Sequence, residues 1–438
     1  MKTKILIVGT VPYNKMSSSR AFDSYFHYWD AECLAQVFSN TKKPTKGHCS
    51  KFYQITDQQM IKCRLGKLKE TGVTYTADEL DDEYNDSPDE VKSSFFKKLY
   101  RFGARKSAFT HYMRKHVWKK KLWCNQKFNA WLEEFGPECV FLSFSDDFFI
   151  PEIALYVAEK FNIPIVSSIG DDYFFNTHFS VSPFYHLYKH QYRKLIKKVL
   201  SHKGSAIYIG NKIRDKYNSY FGLDGETVYL TSNLERHEFR EINTQEPLIS
   251  YCGNIRCGRY LKLLEIATAL GEIDPNYKLT VYSGEKDNKF IEPMQSHPNV
   301  VYGGAIPYSE VERVTDKSDI CVVVEGTRKK DINLTRYSVS TKVADALSSG
   351  ANIFGYGSME CGVIEYLTET RGAQMCYEKD NLKDSLSELI FSVEKQKNYY
   401  QNAGAAAEKN HVLRRSCDVF EGVVTKAIEK GSLDNVKR

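Results

Sequence analysis

Short apolar runs alternate with longer amphipathic segments along most of the chain, a pattern that predicts buried strands joined by helices. The predicted strands of the first half are residues 4–8, 139–144, 163–168, 206–209 and 227–230. The predicted helices between them begin near residue 20 and cover residues 127–135, 151–161, 184–201 and 212–220. This order is typical of a parallel sheet whose strands are buried on both faces.

A second alternating series follows a polar stretch at residues 236–247, which we interpret as a linker. Its predicted strands are residues 248–251, 278–282, 300–304, 319–324 and 351–354. We therefore predict an α/β protein with two doubly wound Rossmann-like domains that face each other across a cleft. The predicted boundaries are residues 1–238 for the first domain, 247–410 for the second, and 411–438 for a final helix and tail.

Charge is distributed unevenly around residue 90. The formal net charge is only +6, but residues 78–90 contain eight acidic residues and no basic one. The segment between Val91 and Trp123 contains eleven Lys or Arg and no acid, with eight Phe, Tyr and Trp among them. We call it the basic-aromatic segment, and we expect it to belong to an insertion at about residues 75–125 of the first domain.

The basic-aromatic segment has several interpretations. Its composition is typical of helices that lie on an anionic membrane surface. A solvated helical face with aromatic residues packed on the core, or ion pairing with the acidic run, would give the same pattern. No RNA- or DNA-binding motif accompanies the charge, so we expect no nucleic-acid partner.

No segment with the pattern of an export signal or a membrane span is found. Residues 1–9 contain too few apolar residues for a signal-peptide core. No later apolar run approaches the roughly 18 residues that cross a bilayer. We therefore expect a cytoplasmic protein, with a peripheral location at the inner face of the cell membrane if the basic-aromatic segment binds lipid.

Two common cofactor signatures are absent from the sequence. The eleven cysteines are scattered and show no spacing typical of zinc ligands, so we expect reduced thiols and no metal site. Gly9 is the only glycine in the loop after the first predicted strand, so the G-x-G-x-x-G fingerprint is missing there. This argues against an NAD-dependent enzyme.

Polar residues follow several predicted strands, at the positions where parallel sheets bind ligands. The loop from Gly9 ends with Ser18 and Ser19 just before a helix, which suits an anion. Asp146 and Asp171 each lie in a pair of adjacent aspartates after a strand. We assign both as candidate catalytic residues because a carboxylate there can act as a base or orient a hydroxyl. Aspartate also caps helices, which is the alternative for all four of these aspartates, and Asp147 lies just before a predicted helix.

The sequence from Ser340 to Gly350 predicts a short helix that carries a cation and a carboxylate on one face. Lys342 and Asp345 are three residues apart, which is the spacing of neighbours on a helix surface. Such a pair can be an ordinary ion pair. It also suits a nucleotide sugar, because the diphosphate requires positive charge and the ribose offers hydroxyl donors.

The second half resembles the donor domain of GT-B glycosyltransferases of the GT4 family. The resemblance rests on five segments in order, which are residues 251–259 (YCGNIRCGR), 279–284 (LTVYSG), 300–307 (VVYGGAIP), 319–324 (DICVVV) and 340–350 (STKVADALSSG). The first half resembles the family only in its alternating pattern and in the segment NIPIV at residues 162–166.

The resemblance implies a role for each matched residue. It implies that Lys342 and Arg259 contact the donor diphosphate and that Asp345 contacts the ribose. It implies further that a backbone surface lies against the nucleotide, for which the candidates are Gly253, Ser283, Gly304 and Ile306. It implies a UDP- or GDP-linked donor, and neither a metal nor another cofactor is required.

Two positions depart from the family pattern. Many members have glutamate where this chain has Asp345, which is one methylene shorter. The longer form of the motif has an acidic residue eight positions earlier, and Tyr337 occupies that position here, as in a subgroup that also lacks the acid. Glu325, Arg328 and Arg336 are the charged residues nearby in the sequence.

These features predict a glycosyltransferase that moves a sugar from a nucleotide diphosphate sugar to a hydroxyl of a glycan or lipid-linked glycan. In such an enzyme we assign the loop of Gly9, Ser18 and Ser19, with Asp146 or Asp171, to the side that binds the acceptor. The resemblance implies a hexosyltransferase that retains the anomeric configuration and acts in surface polysaccharide or glycoconjugate biosynthesis. A nucleotide-sugar epimerase with the same fold, or a non-catalytic partner that binds nucleotide sugars, is the alternative.

Overall fold

The structure is a computed structural model that describes residues 3–15, 19–85, 108–176 and 180–436. The chain divides into two compact units, each with its own sheet. The first unit comprises Met1–Tyr208, Arg214–Thr227 and Cys417–Arg438, and the second comprises Ile209–Ile213 and Val228–Ser416.

The first unit contains an eight-stranded sheet with the spatial order β4-β3-β2-β1-β5-β6-β7-β8. Its strands are β1 (Ile5–Gly9), β2 (Leu34–Phe38), β3 (Lys51–Gln54), β4 (Val73–Thr76), β5 (Cys139–Ser143), β6 (Ile165–Ile169), β7 (Gly204–Tyr208) and β8 (Glu226–Thr227). Strands β3 and β4 pair antiparallel, and the other neighbouring pairs are parallel. Parallel pairs need crossover connections, which the helices provide.

The helices of the first unit include one that returns from the far end of the chain. They are α1 (Ser19–Phe26), α2 (Asp57–Arg64), α3 (Ala108–Val117), α4 (Lys120–Trp123), α5 (Gln126–Phe135), α6 (Phe149–Phe161), α7 (Pro183–Leu200) and α8 (Asn211–Phe221). The returning helix is numbered α17 (Leu413–Val436). Phe420 of this helix packs edge-on against Phe26 and Phe141, with ring centroids 5.0 and 5.5 Å away.

The second unit contains a six-stranded sheet with the order β11-β10-β9-β12-β13-β14, in which all neighbouring pairs are parallel. Its strands are β9 (Ile249–Cys252), β10 (Leu279–Tyr282), β11 (Val300–Gly304), β12 (Ile320–Val324), β13 (Asn352–Tyr356) and β14 (Gln374–Cys376). Its helices are α9 (Arg259–Ile273), α10 (Asn288–Gln295), α11 (Tyr308–Lys317), α12 (Lys329–Thr335), α13 (Thr341–Ser349), α14 (Gly362–Thr370), α15 (Leu382–Phe391) and α16 (Val393–Asn410).

Residues 228–238, which the sequence placed at the end of the first domain, group with the second unit. Tyr229 stacks on Tyr366 with ring centroids 4.8 Å apart, and the Arg236 guanidinium donates to the carbonyl of Leu347 at 2.6 Å. Tyr229 and Arg236 therefore connect this segment to residues of the second unit.

The central strands are buried along their whole length. Each residue of β1 and of β12 is buried, as expected for parallel strands covered by helices on both faces. The apolar runs that predicted these strands and their helical crossovers are confirmed, with ends that shift by a few residues. Strands β2, β3 and β4 were not predicted, because sequences such as LAQVF, KFYQ and VTYT are short and interrupted by polar residues.

The basic-aromatic segment is described from residue 108 onward, and its residues 91–107 lie outside the described part. Its two tryptophans belong to the core of the first unit, with 2% of Trp118 and none of Trp123 exposed. The indole of Trp118 stacks on the Phe149 ring at 3.6 Å and donates to the Asp57 carboxylate at 2.6 Å. Both tryptophans therefore fit the interpretation of aromatic residues packed on the core. Among the described residues, no helix combines the length and the apolar character that crossing a membrane requires.

Candidate functional site

Lys342 lies in a polar cluster at the carboxyl ends of the parallel strands of the second unit. It is the second residue of α13, and its Nζ lies 4.1 Å from the centroid of the Tyr251 ring. At this distance the ring face attracts an ammonium group. Nζ also lies against Gly253, where an added Cβ would come within 2.1 Å of it. Gly253 has a φ of +150°, so both its backbone and the approach of Lys342 favour glycine.

The environment of Lys342 holds its pKa far below that of an ordinary lysine. Burial, followed by the nearby positive charge of Arg259, lowers the pKa to about 7, while Glu325 acts in the opposite direction. The amine therefore changes its charge near neutral pH. A ligand that brings negative charge to Nζ would raise this pKa, because an opposite charge favours the protonated form.

Arg259 begins α9 and is oriented by a buried carboxylate. Its Nε and Nη2 donate to the two carboxylate oxygens of Glu325 at 3.1 and 2.7 Å. Glu325 directly follows β12 and is only 3% exposed. A bidentate arginine–carboxylate pair fixes the plane of the guanidinium. Arginine has five N–H donors, so the two bonds to Glu325 leave others for an anionic ligand.

Asp345 is buried on the same helix as Lys342. One carboxylate oxygen accepts from the hydroxyl of Ser232 at 2.7 Å, and the other faces the hydroxyl of Tyr308 at 3.5 Å. Burial raises the pKa of the Cys252 thiol to about 11, while the charge of Lys342 lowers it and that of Asp345 raises it. Cys252 therefore lies close to both charged groups, at the end of β9.

The loop between β11 and α11 lies beside Asp345, because Tyr308 begins α11. Gly304 is the last residue of β11, and Ile306 lies in the loop that follows it. The Gly304 carbonyl accepts from the backbone N–H of Ser283 at 2.8 Å. The structure thus brings all the predicted donor-side residues to one edge of the second sheet. Their assignment to diphosphate, ribose and base stays a prediction.

Several neighbours of this cluster were not assigned from the sequence. Tyr251 and Tyr308 lie inside or next to the matched segments, so their positions offered a signal. Ser232 offered none, because it is 113 residues from Asp345 and follows no recognised motif. Tyr337 supplies no carboxylate at the position where one was expected, whereas Glu325 is a buried carboxylate close to both cations.

In the first unit, Asp146 and Asp171 lie after the adjacent parallel strands β5 and β6. The Tyr173 hydroxyl donates to the Asp171 carboxylate at 3.4 Å. Burial raises the pKa of Tyr173, and the charges of Asp171 and Asp146 raise it further. Both predicted carboxylates are therefore near one phenol at the carboxyl edge of the first sheet.

Asp146 also faces a histidine that the sequence did not single out. The Nε2 atom of His111, in α3, lies 3.8 Å from the Asp146 carboxylate. His111 is 18% exposed at its side chain and Asp146 is 43% exposed, so the pair is partly open to solvent. His111 and Arg114 are three residues apart on α3, and they contact the adjacent residues Asp146 and Asp147. The three-residue spacing of His111 and Arg114 was the signal that the sequence offered. Both residues lie within the basic-aromatic segment, where many other residues are basic or aromatic.

The other aspartate of each pair has a structural role. Asp147 does not cap α6, whose N-cap is Phe148, and its buried carboxylate pairs with Arg114 instead. Burial raises the pKa of Asp147 although Arg114 opposes the shift. Asp172 accepts from two backbone N–H groups, at 3.1 and 2.7 Å, and from the hydroxyl of Tyr217 at 2.8 Å.

The predicted acceptor loop is described only at its two ends. Gly9 ends β1 beside β5, where an added Cβ would lie 3.2 Å from the Cβ of Ser143. Ser19 begins α1, and Ser18 lies outside the described residues. Gly9 thus shares the strand-end edge with Asp146, and the roles of all three loop residues stay predictions.

No protein-family model matches the sequence, and no curated protein matches it. Solved structures, in contrast, match the fold over nearly the whole chain. The HepE protein of Anabaena in complex with UDP and glucose has a TM-score of 0.57 at 10% identity and covers 97% of this chain and 99% of its own. The fold is GT-B.

Two further GT-B neighbours have comparable coverage. Sucrose-phosphate synthase of Thermosynechococcus elongatus has a TM-score of 0.55 at 10% identity, covering 99% of this chain and 98% of its own. WaaG, a glycosyltransferase involved in lipopolysaccharide biosynthesis, has a TM-score of 0.51 at 9% identity and covers 97% of this chain and 98% of its own. At these identities the likeness establishes the fold, which confirms the predicted α/β class of two doubly wound units. Assignment to the GT4 family stays a prediction.

The low pKa of Lys342 predicts that binding of a nucleotide sugar is coupled to proton uptake. At about pH 8.5 the amine is mostly neutral, and a diphosphate beside it would raise its pKa and draw a proton from solvent. At about pH 6 the amine is already protonated, so uptake should fall toward zero. Calorimetric titration with UDP-glucose or GDP-mannose in buffers of different ionisation enthalpy measures this uptake.

The matched control is Lys342→Arg, which keeps the positive charge but cannot lose its proton. This variant should bind without proton uptake at either pH. Equal uptake by the variant and the natural protein would show that another group titrates.

Proposed function

We propose that this protein is a glycosyltransferase that moves a sugar from a nucleotide diphosphate sugar to a hydroxyl of a glycan or lipid-linked glycan. The observation that carries the proposal is the cluster of Lys342, Arg259 and Asp345 at the carboxyl edge of the second sheet. This is the edge at which doubly wound sheets bind nucleotides. The GT-B fold and its UDP-bound neighbour support a nucleotide-linked donor.

On the donor side, Lys342 and Arg259 would bind the diphosphate. Two cations beside a diphosphate stabilise the negative charge that grows on the leaving group as the glycosidic bond breaks. Glu325 would act as a positioning residue, since its bidentate contact sets the direction of the Arg259 guanidinium. Asp345 would accept a ribose hydroxyl, as it accepts the hydroxyl of Ser232.

We propose further that the enzyme is a GT4-like hexosyltransferase that retains anomeric configuration and uses UDP- or GDP-linked sugars without a metal. The five matched segments support this subgroup. Action in surface polysaccharide or glycoconjugate biosynthesis fits the WaaG neighbour, which is involved in lipopolysaccharide biosynthesis.

On the acceptor side, we propose Asp146 as the residue that accepts a proton from the acceptor hydroxyl or orients it, with Asp171 as the alternative. Asp146 is partly exposed and faces His111, and a histidine beside a carboxylate is a common arrangement for moving a proton. The loop from Gly9 through Ser18 and Ser19 would contact the acceptor at the same sheet edge.

We propose that the basic-aromatic segment and α7 face an anionic membrane surface that presents a lipid-linked acceptor. The Phe184 ring of α7 packs against Phe109 and Tyr112 of α3, with centroids 5.2 and 5.4 Å apart. Phe109 and Phe184 are exposed by 41% and 38%, and Met113 and Leu187 beside them in the two helices are also exposed. Helix α7 carries five Lys or Arg and no acid. Exposed apolar side chains with neighbouring cations favour an anionic lipid surface.

Removal of the Lys342 amine should slow sugar transfer strongly. We expect Lys342→Ala to lower turnover by roughly 100-fold or more, the range seen when one stabilising donor is removed from a catalytic site. The assay is release of nucleoside diphosphate from a panel of UDP- and GDP-linked sugars with glycan acceptors. Lys383→Ala, an exposed lysine in α15, is the matched control and should keep full turnover.

The same assay separates the alternatives. Unchanged turnover by Lys342→Ala would refute the donor assignment. A new isomer from donor alone would favour an epimerase, and no binding of any nucleotide sugar would favour a non-catalytic partner. NMR of the anomeric proton in fresh product tests retention.

Loss of the Asp146 carboxylate should impair transfer and leave donor binding intact. We expect Asp146→Asn to lower kcat by roughly 10²-fold to 10⁴-fold, the usual contribution of a positioned base, with the Kd for the nucleotide sugar unchanged. Asp171→Asn in parallel decides between the two carboxylates. If both variants keep full kcat, the acceptor-side assignment is wrong.

The apolar face shared by α3 and α7 should bind anionic vesicles. We expect the protein to sediment with phosphatidylglycerol-containing liposomes and not with phosphatidylcholine liposomes. Phe109→Ser combined with Phe184→Ser should weaken sedimentation, and Tyr377→Ser, an exposed aromatic of the second unit, should not. Lipid-independent sedimentation, or equal binding by both variants, would remove the proposed membrane surface.

A further inference from the structure

Three potential metal ligands converge in the first unit, away from the aspartates discussed above. Asp23, His27 and His48 each offer one ligand atom, and these atoms all lie within 4.8 Å of one another. Asp23 is in α1, and His27 follows the last residue of that helix. The backbone N–H of His27 donates to the Asp23 carbonyl at 3.2 Å, so the two residues are one helical turn apart. His48 comes from the segment that leads into β3.

One oxygen of the Asp23 carboxylate is not satisfied by the described residues, although the side chain as a whole is 31% exposed. Oδ1 of Asp23 is buried and has no hydrogen-bond partner among the described residues. The nearest imidazole contact, from Nε2 of His48, is 3.8 Å long, which is beyond hydrogen-bond length. A buried carboxylate oxygen without a partner is costly and uncommon. A cation held between the carboxylate and the imidazoles would satisfy it.

The third ligand is positioned by packing. Gly47 lies against the ring of Tyr13, where an added Cβ would come within 2.0 Å of the ring, so only glycine allows the chain to pass there. The adjacent His48 ring is nearly parallel to the Phe22 ring at 6.5 Å and meets the Tyr13 ring edge-on at 6.4 Å. These contacts orient the imidazole toward Asp23 on one side, while 40% of the His48 side chain is exposed.

We propose that Asp23, His27 and His48 bind a divalent transition-metal ion of the Zn²⁺ class. Two imidazoles and one carboxylate are a common set of protein ligands for Zn²⁺, whereas Mg²⁺ and Ca²⁺ prefer oxygen ligands alone. Zinc bonds of about 2.0–2.2 Å require the three side chains to draw together by about 1 Å. The bound ion would join α1 to the segment before β3. Cysteine spacing could not indicate this site, because the site contains no cysteine. His48 also lies 21 residues after His27 in the chain.

The test uses the full-length, untagged protein, treated with EDTA and then freed of it. Zn²⁺ is titrated by calorimetry, and Co²⁺ is titrated by absorption because its visible spectrum reports the ligands. The variants are His27→Ala, His48→Ala and Asp23→Asn, and the last preserves side-chain size so that folding is not at issue. His190→Ala, an exposed histidine in α7, is the matched control.

We expect the natural protein and His190→Ala to bind one equivalent of Zn²⁺. Each cluster variant should bind Zn²⁺ at least about 10-fold more weakly, because even the loss of a residue that only hydrogen-bonds a metal ligand weakens binding by that factor. The Co²⁺ spectrum should lack a thiolate charge-transfer band. At the same free Zn²⁺ concentration, the rise in melting temperature should be larger for the natural protein than for Asp23→Asn.

Three results would overturn the site. They are absence of Zn²⁺ binding by the natural protein, an affinity in all three cluster variants that equals that of the natural protein, and a Co²⁺–thiolate band that shows binding by cysteines instead. None of them bears on sugar transfer, so the proposed function is tested separately.

Discussion

The second unit depends on holding two cations side by side at the end of its parallel strands. Lys342 and Arg259 repel each other, and burial strengthens that repulsion. The fold responds in two ways. Glu325 neutralises Arg259 through two hydrogen bonds, and the face of the Tyr251 ring together with Gly253 accommodates the Lys342 amine. Burial, together with the remaining repulsion from Arg259, holds the pKa of Lys342 at about 7. An anion bound beside the amine would raise this pKa, because an opposite charge favours the protonated form.

The cluster of Lys342, Arg259 and Asp345 could be located from the sequence because the matched segments that carry it adjoin strands that are easy to recognise. β9 and β12 are apolar runs buried on both faces, and the carboxyl ends of parallel strands meet at one edge. Lys342, Arg259 and Gly253 therefore had to lie near each other once the strand order was known. Their partners could not be predicted in the same way. Whether Glu325 pairs with Arg259, or Ser232 with Asp345, depends on side-chain packing between segments far apart in the chain.

The first unit was harder to predict for physical reasons. β2, β3 and β4 are short and carry polar residues, so no apolar run marks them. The basic-aromatic segment shows the opposite difficulty, because its composition suggested a surface while Trp118 and Trp123 are core residues. Composition averages over the faces of a helix, and only the packed structure separates the tryptophans in the core from the exposed Phe109 on α3.

The balance of charge around Lys342 bears on how such a site would release its product. When the site is empty, burial and the repulsion from Arg259 favour the neutral Lys342 amine, whereas Arg259 stays charged and paired with Glu325. Under the proposed function, a diphosphate beside Lys342 would raise the pKa of the amine, and the protonated amine would attract the ligand more strongly. As the leaving group gains charge during bond cleavage, the protonated amine stabilises it further. Release of the nucleoside diphosphate would require that this attraction be overcome. Above about pH 7 the amine would give up its proton as the diphosphate leaves, and this would weaken the binding of the product relative to a cation that stays charged. A lysine whose pKa lies near neutrality can therefore assist both bond cleavage and product release, whereas the permanently charged Arg259 can assist only the first.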